Sequence, residues 1–319
     1  MSDQGSRPCK IAVVGAGGMA SEHIKAFQDI PDVTVAGIAN RTVEKAQQLA
    51  EKFSIPLVFG NVADLYEGTG ADIVLMAVYE PAINTVAKAC FAYPWAVFME
   101  KPVGLNLADA EDIEAAANKD GRKVWVGLNR RSLSSTVSAL DDLADDQDWR
   151  FIHVQDQQSL EAARSIGHSK NVVDNWMYAN SIHLVDYLLT FGRGEVAEVV
   201  PVVPWTPENP ETVLAKVSFS SGDLGLYECI WEAPGPWACT VTTTRRRWEM
   251  RPLEKAVFLN AGERSPNEVD PHHWDEDFKP GFRLQAERVI AAWRGEPSPQ
   301  PTLTEATRTM RLVSDIYGV

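Results

Sequence analysis

The chain has 319 residues, 45% of them hydrophobic, and a formal net charge of −14 from 44 acidic and 30 basic side chains. That length exceeds one typical domain, and the acidic balance argues against nucleic acid or an anionic membrane as a partner. No apolar run approaches the roughly 20 residues that span a bilayer. The opening MSDQGSRPCK lacks the apolar core of a signal peptide, so a cytoplasmic location is expected.

From residue 10 to residue 128, strand and helix patterns alternate. Continuous apolar runs at 10–14, 33–40, 72–78, 96–100 and 123–128, with a shorter one at 57–59, read as strands covered on both faces. Helical patterns at 19–29, 43–53, 82–91 and 108–119 separate them. This alternation predicts a doubly wound parallel sheet with ligands at the carboxyl ends of its strands. The first such end is Gly15-Ala16-Gly17-Gly18-Met19-Ala20. There Gly15 permits the turn, Gly17 admits a pyrophosphate close to the backbone, and Ala20 lets the helix lie on the sheet. Gly18 and Met19 open the helix whose N-terminus would face the phosphates.

The second strand ends at Asn40-Arg41, where NAD-selective folds place an Asp or Glu on the adenine ribose. With no carboxylate there and a guanidinium next in line, NADP(H) is favoured as cofactor, NAD(H) being the alternative. The next long strand delivers Tyr79, Glu80 and Asn84 to the same edge, as further cofactor-side candidates. The fifth delivers Glu100-Lys101-Pro102. Opposite charges after a buried strand suit a functional crevice, where a lysine beside a nicotinamide could exchange a proton with the substrate oxygen.

These motifs, with Val126-Gly127-Leu128-Asn129-Arg130-Arg131, make the chain resemble the glucose–fructose oxidoreductase/inositol dehydrogenase (Gfo/Idh/MocA) family. The resemblance implies NAD(P)-dependent hydride transfer on a sugar, inositol or related polyol. It makes Lys101 the active-site lysine, with Glu100 and Asn129 on the cofactor side.

Beyond residue 128 the pattern changes, giving domains expected at 1–128 and 129–319. A helical segment at 132–146 leads into an extended run at 149–157, then an irregular stretch at 159–175 bearing Arg164, His168 and Lys170. That stretch reads equally as a substrate lid or a surface excursion. A helix at 180–191 precedes β-patterned runs at 197–203, 212–220, 224–232, 238–244 and 256–259, and helices at 282–294 and 304–317 close the chain. Strands without intervening helices imply an α+β domain with a large, mostly antiparallel sheet.

The 180–191 helix carries Asn180, His183, Asp186 and Tyr187 on one face, where a histidine can act as acid, base or hydroxyl orienter. The family commonly shows Asp-x-Gly-x-His-x-x-Asp here. This chain matches at His183 and Asp186 but has Ala179 and Ser181 at the first two positions. Lys101 and His183 are the catalytic candidates; Arg130, Trp176, Asn180, His183 and Asp186 are the substrate-side ones.

Elsewhere, Arg245-Arg246-Arg247 reads as an exposed strand or subunit contact, or as an anchor for an anionic substrate group. The cysteines Cys9, Cys90, Cys229 and Cys239 form no CxxC pair, and His272, His273 and Asp275 read as an exposed loop, so no metal is expected. A non-catalytic cofactor-binding regulator is the alternative to an enzyme, and a homodimer or homotetramer is expected.

Overall fold

The computed structural model describes residues 7–208 and 210–319. The segment 1–6, within the stretch that underlies the expected location, lies outside them. The chain forms two compact units, residues 1–127 with 277–307 and residues 128–276 with 308–319.

In the first unit β1 (Cys9–Val14), α1 (Gly18–Gln28), β2 (Val33–Ala39), α2 (Val43–Phe53), β3 (Val58–Phe59), α3 (Val62–Thr69), β4 (Ile73–Met76), α4 (Ile83–Phe91), β5 (Ala96–Glu100), α5 (Leu107–Lys119) and β6 (Val124–Gly127) alternate. The strands form one parallel sheet in the order β3-β2-β1-β4-β5-β6. The order reverses between β1 and β4, which leaves a crevice at their carboxyl ends. Every residue of β4, β5 and β6 is buried, as continuous apolar runs require when helices cover both faces. Helix α3 was not anticipated. Its N-terminus is capped by Asn61, whose side chain accepts from the Asp64 N–H.

The second unit holds α6 (Ser134–Leu143), β7 (Phe151–Gln158), α7 (Leu160–Ser165), α8 (Lys170–Asp174), a π-helical turn at Met177–Ser181, α9 (Ile182–Phe191), β8 (Val196–Val203), β9 (Thr212–Phe219), β10 (Leu224–Trp231), β11 (Ala238–Thr242), β12 (Arg246–Met250), β13 (Ala256–Asn260) and β14 (Asn267–Val269). The eight strands run β14-β13-β12-β11-β7-β10-β9-β8, antiparallel except where β7 meets β10. Strands β7, β9 and β10 alternate half-buried and buried residues, so each presents one face to the unit's interior. Helix α10 (Trp274–Asp277) follows.

The domain division differs from the expected 1–128 and 129–319. Helix α11 (Phe282–Arg294) belongs to the first unit, because Phe282, Ala286, Val289 and Ile290 join Ala20, Ile24 and Phe27 of α1 in one core. The last helix, α12 (Leu303–Tyr317), starts in the first unit and ends in the second. Two other expectations also change. The irregular stretch at 159–175 contains α7 and α8, and α7 is pinned where Glu232 accepts from the Ser159 hydroxyl and the Leu160 N–H. The arginine triplet runs into β12, a strand the sequence did not suggest, and is held by Asp146, Asp142 and Glu249. It is therefore an internally paired surface rather than an anion anchor. Among the described residues no helix is long and apolar enough to cross a membrane.

Candidate functional site

A cavity of about 700 Å³ lies at the carboxyl ends of β1, β2 and β4. Gly15 shapes its floor. Its φ is +109°, and a Cβ there would sit 2.0 Å from the Ala77 carbonyl oxygen, so only glycine fits. Gly17 also lines the cavity, but its φ is −94° and an added Cβ would meet nothing within 4 Å. The protein's own packing gives no reason for glycine at this position; a group resting against the backbone would. Helix α1 starts here with no side-chain cap and no acidic residue in its first turn. Its free N–H groups and positive dipole end thus remain available to an anion.

Charge at the other end of the cavity agrees. Arg41, just before the Thr42 N-cap of α2, and Lys45, in the first turn of that helix, both line it, and no acidic side chain does. Within a chain of net charge −14, this is a local cationic pocket. Asn40 lies between the glycine turn and these cations and spends its amide N–H on the Thr42 carbonyl at 2.8 Å. Lys45 was missed by sequence reading. It lies in the first turn of α2, a position legible only once the helix start was placed.

Of the residues expected to bind cofactor, Gly15, Gly17, Asn40, Arg41 and Tyr79 line the cavity, whereas Gly18, Met19, Glu80, Asn84, Glu100 and Lys101 do not. Gly18 and Met19 have exposed side-chain positions and offer only the backbone of the first helical turn. Asn84 is a correction: its amide bridges Asp109 and Asp112 at 2.7 and 2.8 Å and ties α4 to α5. Glu100 is another. Its carboxylate lies 2.6 Å from Nε2 of the fully buried His23, and Gly127 on the neighbouring strand leaves room for it. Lys101 emerges half-buried directly after this anchored residue.

The second unit gathers its candidates around α9. Asn129 and Arg130 open a short 3₁₀ turn, and Arg130 pairs with Glu254 at 2.9 Å. The Arg130 guanidinium stands 5.6 Å from the Trp237 ring centre, and the His183 ring lies 6.1 Å from the same indole. Trp237 thus links two candidates that sequence distance kept apart. Asp186 is a third correction. It is 2% exposed and accepts two bonds from Arg131, both at 2.7 Å, and one from the Thr309 hydroxyl at 2.8 Å. Its oxygens are committed to holding α9, so it is a framework residue and not a substrate ligand.

Gln158, at the end of β7, is the residue the sequence did not reveal. It is buried, and its Oε1 accepts from Trp176 Nε1 at 2.9 Å and from Asn180 Nδ2 at 2.8 Å. Its own Nε2 donates to Asp156 at 2.7 Å. Burial pushes the Asp156 carboxyl up to about 6, against the pull of donors from Tyr227, Ser181, Gln158 and the Gln157 backbone. The four cysteines are buried and unpaired, and burial drives the Cys9 and Cys90 thiols up to about 12, so none is a nucleophile.

Residues 9–128 match the model of the oxidoreductase family with an NAD-binding Rossmann fold, Gfo/Idh/MocA. Over these residues, somewhat more than a third of the chain, the protein is similar to the Gfo/Idh/MocA family. Its relatives include a trans-1,2-dihydrobenzene-1,2-diol dehydrogenase of Mus musculus, 28% identical over 34% of this chain and 33% of that one. Another is an inositol 2-dehydrogenase of Rhodococcus jostii, 30% identical over 40% of this chain and 35% of that one. The matched region spans about a third of the length of these relatives. A dehydrogenase of Chromobacterium violaceum, 18% identical, shares the fold over 98% of this chain and 95% of its own, with a TM-score of 0.83. Residues 9–128 thus carry an NAD-binding Rossmann fold, and the cavity at residues 15–17 and 40–45 is where that fold would hold its dinucleotide.

Proposed function

We propose that the protein is a cytoplasmic, homo-oligomeric dehydrogenase that binds NADP(H) in preference to NAD(H) and acts on the CH–OH carbon of a sugar, inositol or related polyol. The observation that carries the cofactor reading is the cavity's pairing of an unfilled glycine cradle at Gly17 with Arg41 and Lys45, unopposed by any acidic lining residue. When bound, the nicotinamide supplies hydride chemistry; the residues of this chain bind, orient and move the proton. The α1 N-terminus and Gly17 receive the pyrophosphate. Arg41 and Lys45 grip a 2′-phosphate, and the Arg41 guanidinium can do so bidentately.

Lys101 is the candidate for proton exchange with the substrate oxygen, and His183 the candidate acid, base or hydroxyl orienter. Arg130, Trp176 and Asn180 belong to the substrate side, and Asn129 to the cofactor side. With Ala179 in the place of the family's first aspartate, that helix supplies no carboxylate base beside His183, which puts the proton exchange on Lys101 and His183. Dehydrogenase relatives acting on inositol and on a dihydrodiol support the CH–OH class.

Calorimetric titration of NADPH and NADH tests the cofactor reading. Each charge-assisted contact contributes about 1.5–3 kcal/mol, so NADPH is expected to bind at least about tenfold more tightly. The double variant Arg41→Ala/Lys45→Ala should erase that difference with little effect on NADH. Tighter binding of NADH by the unaltered protein would overturn the assignment.

A further inference from the structure

Two features of the second unit combine around Gln158. Its side-chain amide has three neighbours of fixed hydrogen-bonding character. The Trp176 indole Nε1–H can only donate, so the Gln158 atom facing it at 2.9 Å must be the oxygen. The opposite end of the amide faces Asp156 Oδ1 at 2.7 Å, where an N–H is required against an ionised carboxylate. Both neighbours demand the same orientation. Asn180 faces the same Gln158 oxygen at 2.8 Å, so its own contacting atom must be Nδ2. The amide polarity of Asn180 is thereby set by two residues it does not touch.

We infer that Gln158 is a positioning residue that locks Asn180 so that it presents its carbonyl oxygen, a pure acceptor, to the ligand, selecting a substrate with a hydroxyl at that point. This inference rests on the polyol reading of the preceding section. Asn180 is half-buried, and its Oδ1 makes no hydrogen bond with any described residue. Beside it, Ala179 supplies no carboxylate. A locked asparagine oxygen accepts a hydrogen bond while supplying no base. It orients a hydroxyl but cannot take its proton. Trp176, held by the same Gln158 oxygen and with the His168 ring 5.1 Å from its own, stands beside this acceptor, and an indole there suits a ring with one polar edge and one apolar face.

The lock is itself supported from behind. Tyr227 donates to Asp156 Oδ2 at 2.7 Å and lies 2.8 Å from the Tyr317 hydroxyl. These side chains are buried, so no water competes for the Asp156 oxygens. Donors from both sides thus converge on Asp156: Tyr227 from the unit's interior, and Gln158, which in turn accepts from Asn180 Nδ2.

Two measurements test the inference. In the ligand-free protein, the Trp176 indole N–H signal, assigned with Trp176→Phe, should be slow to exchange with solvent. Gln158→Leu, which keeps the volume and removes the acceptor, should shift it and speed its exchange. An indole signal unmoved by Gln158→Leu would overturn the lock. With NADP+ and myo-inositol as the probe, read at 340 nm, Gln158→Leu and Asn180→Leu should each raise KM roughly five- to tenfold, the loss falling on KM rather than kcat. Asn180→Asp replaces the N–H that faces Gln158 by an acceptor, so it breaks the lock and should also raise KM. If Gln158→Leu or Asn180→Leu leaves KM within about twofold of the unaltered protein while the probe is turned over, the Asn180 oxygen does not meet a substrate hydroxyl and the inference fails. If the unaltered protein turns over neither this probe nor a panel of sugars while the indole result holds, the polyol reading fails and the lock stands.

Discussion

His23 and Glu100 form a buried pair on two elements of the first unit, and removing one member gives a sharp test of what anchors the strand that delivers Lys101. The His23 side chain is fully buried and that of Glu100 is 10% exposed, with 2.6 Å between Nε2 and Oε1. His23 also packs edge-on against Phe98 and tilts against Phe282, with ring centres 5.2 and 4.5 Å away. His23→Leu nearly preserves volume, so the cavity contribution is small. What remains is a carboxylate shut away from water without its partner. Breaking such a pair typically costs about 3–5 kcal/mol. For a unit of this size each kcal/mol moves the melting midpoint by about 2–4 °C, so a fall of roughly 6–20 °C is expected in scanning calorimetry. The double variant His23→Leu/Glu100→Leu should recover most of the loss, because removing both polar partners leaves nothing unsatisfied. A single variant within about 1 kcal/mol of the unaltered protein would refute the reasoning. So would a double variant as unstable as the single one.

The two glycines of the opening turn should separate by mechanism. Gly15→Ala is expected to destabilise by more than about 3 kcal/mol from backbone strain and the clash with Ala77. Gly17→Ala should leave stability unchanged or raise it by about 0.4–1 kcal/mol while weakening NADPH binding about tenfold or more; retained affinity would remove Gly17 from the site. Lys101→Met should abolish turnover with little change in cofactor affinity, and residual turnover above about 1% of the original rate would remove the lysine from the proton step.

Asp156 should tilt the pH dependence of stability. Its carboxyl is raised by burial from 3.8 to about 6, so the folded state keeps a proton that the unfolded chain has released between those values. That stabilisation is full below pH 3.8 and lost as pH rises through about 6, a swing of about 3 kcal/mol. Urea unfolding of the unaltered protein and Asp156→Asn at about pH 4 and pH 8 should show the difference between them change by that order. A constant difference would contradict the burial of a titrating carboxyl.

The parts of this molecule that were legible in the sequence are those in which neighbours in the chain are neighbours in space. Strands β1, β4 and β5 announced themselves as apolar runs, and the glycine turn sat between a strand and a helix as its motif requires. Residues whose roles depend on distant partners were misread. Asp186 has the spacing of a pocket residue, yet Arg131 and Thr309 claim its oxygens from 55 and 123 residues away. Asn84 follows the same logic through Asp109 and Asp112. Strand β12 was hidden because the pattern Arg-Arg-Trp-Glu-Met carries its charges on positions that Asp142 and Glu249 neutralise. Helix α11 gave no sign of joining the first unit, since its apolar stripe fits any core equally well.

The same distinction explains why a cofactor site can be argued from a turn while substrate choice cannot. A dinucleotide is gripped by backbone N–H groups, a glycine gap and two cations four residues apart, all of which local sequence specifies. A hydroxyl is gripped by the orientation of one side-chain amide. That orientation follows from an indole at Trp176 and a carboxylate at Asp156, which reach Asn180 only through Gln158. With no carboxylate at Ala179, recognition of a hydroxyl then rests on the neighbouring Asn180 oxygen. The site depends on a hydrogen-bond network that no motif on the helix records.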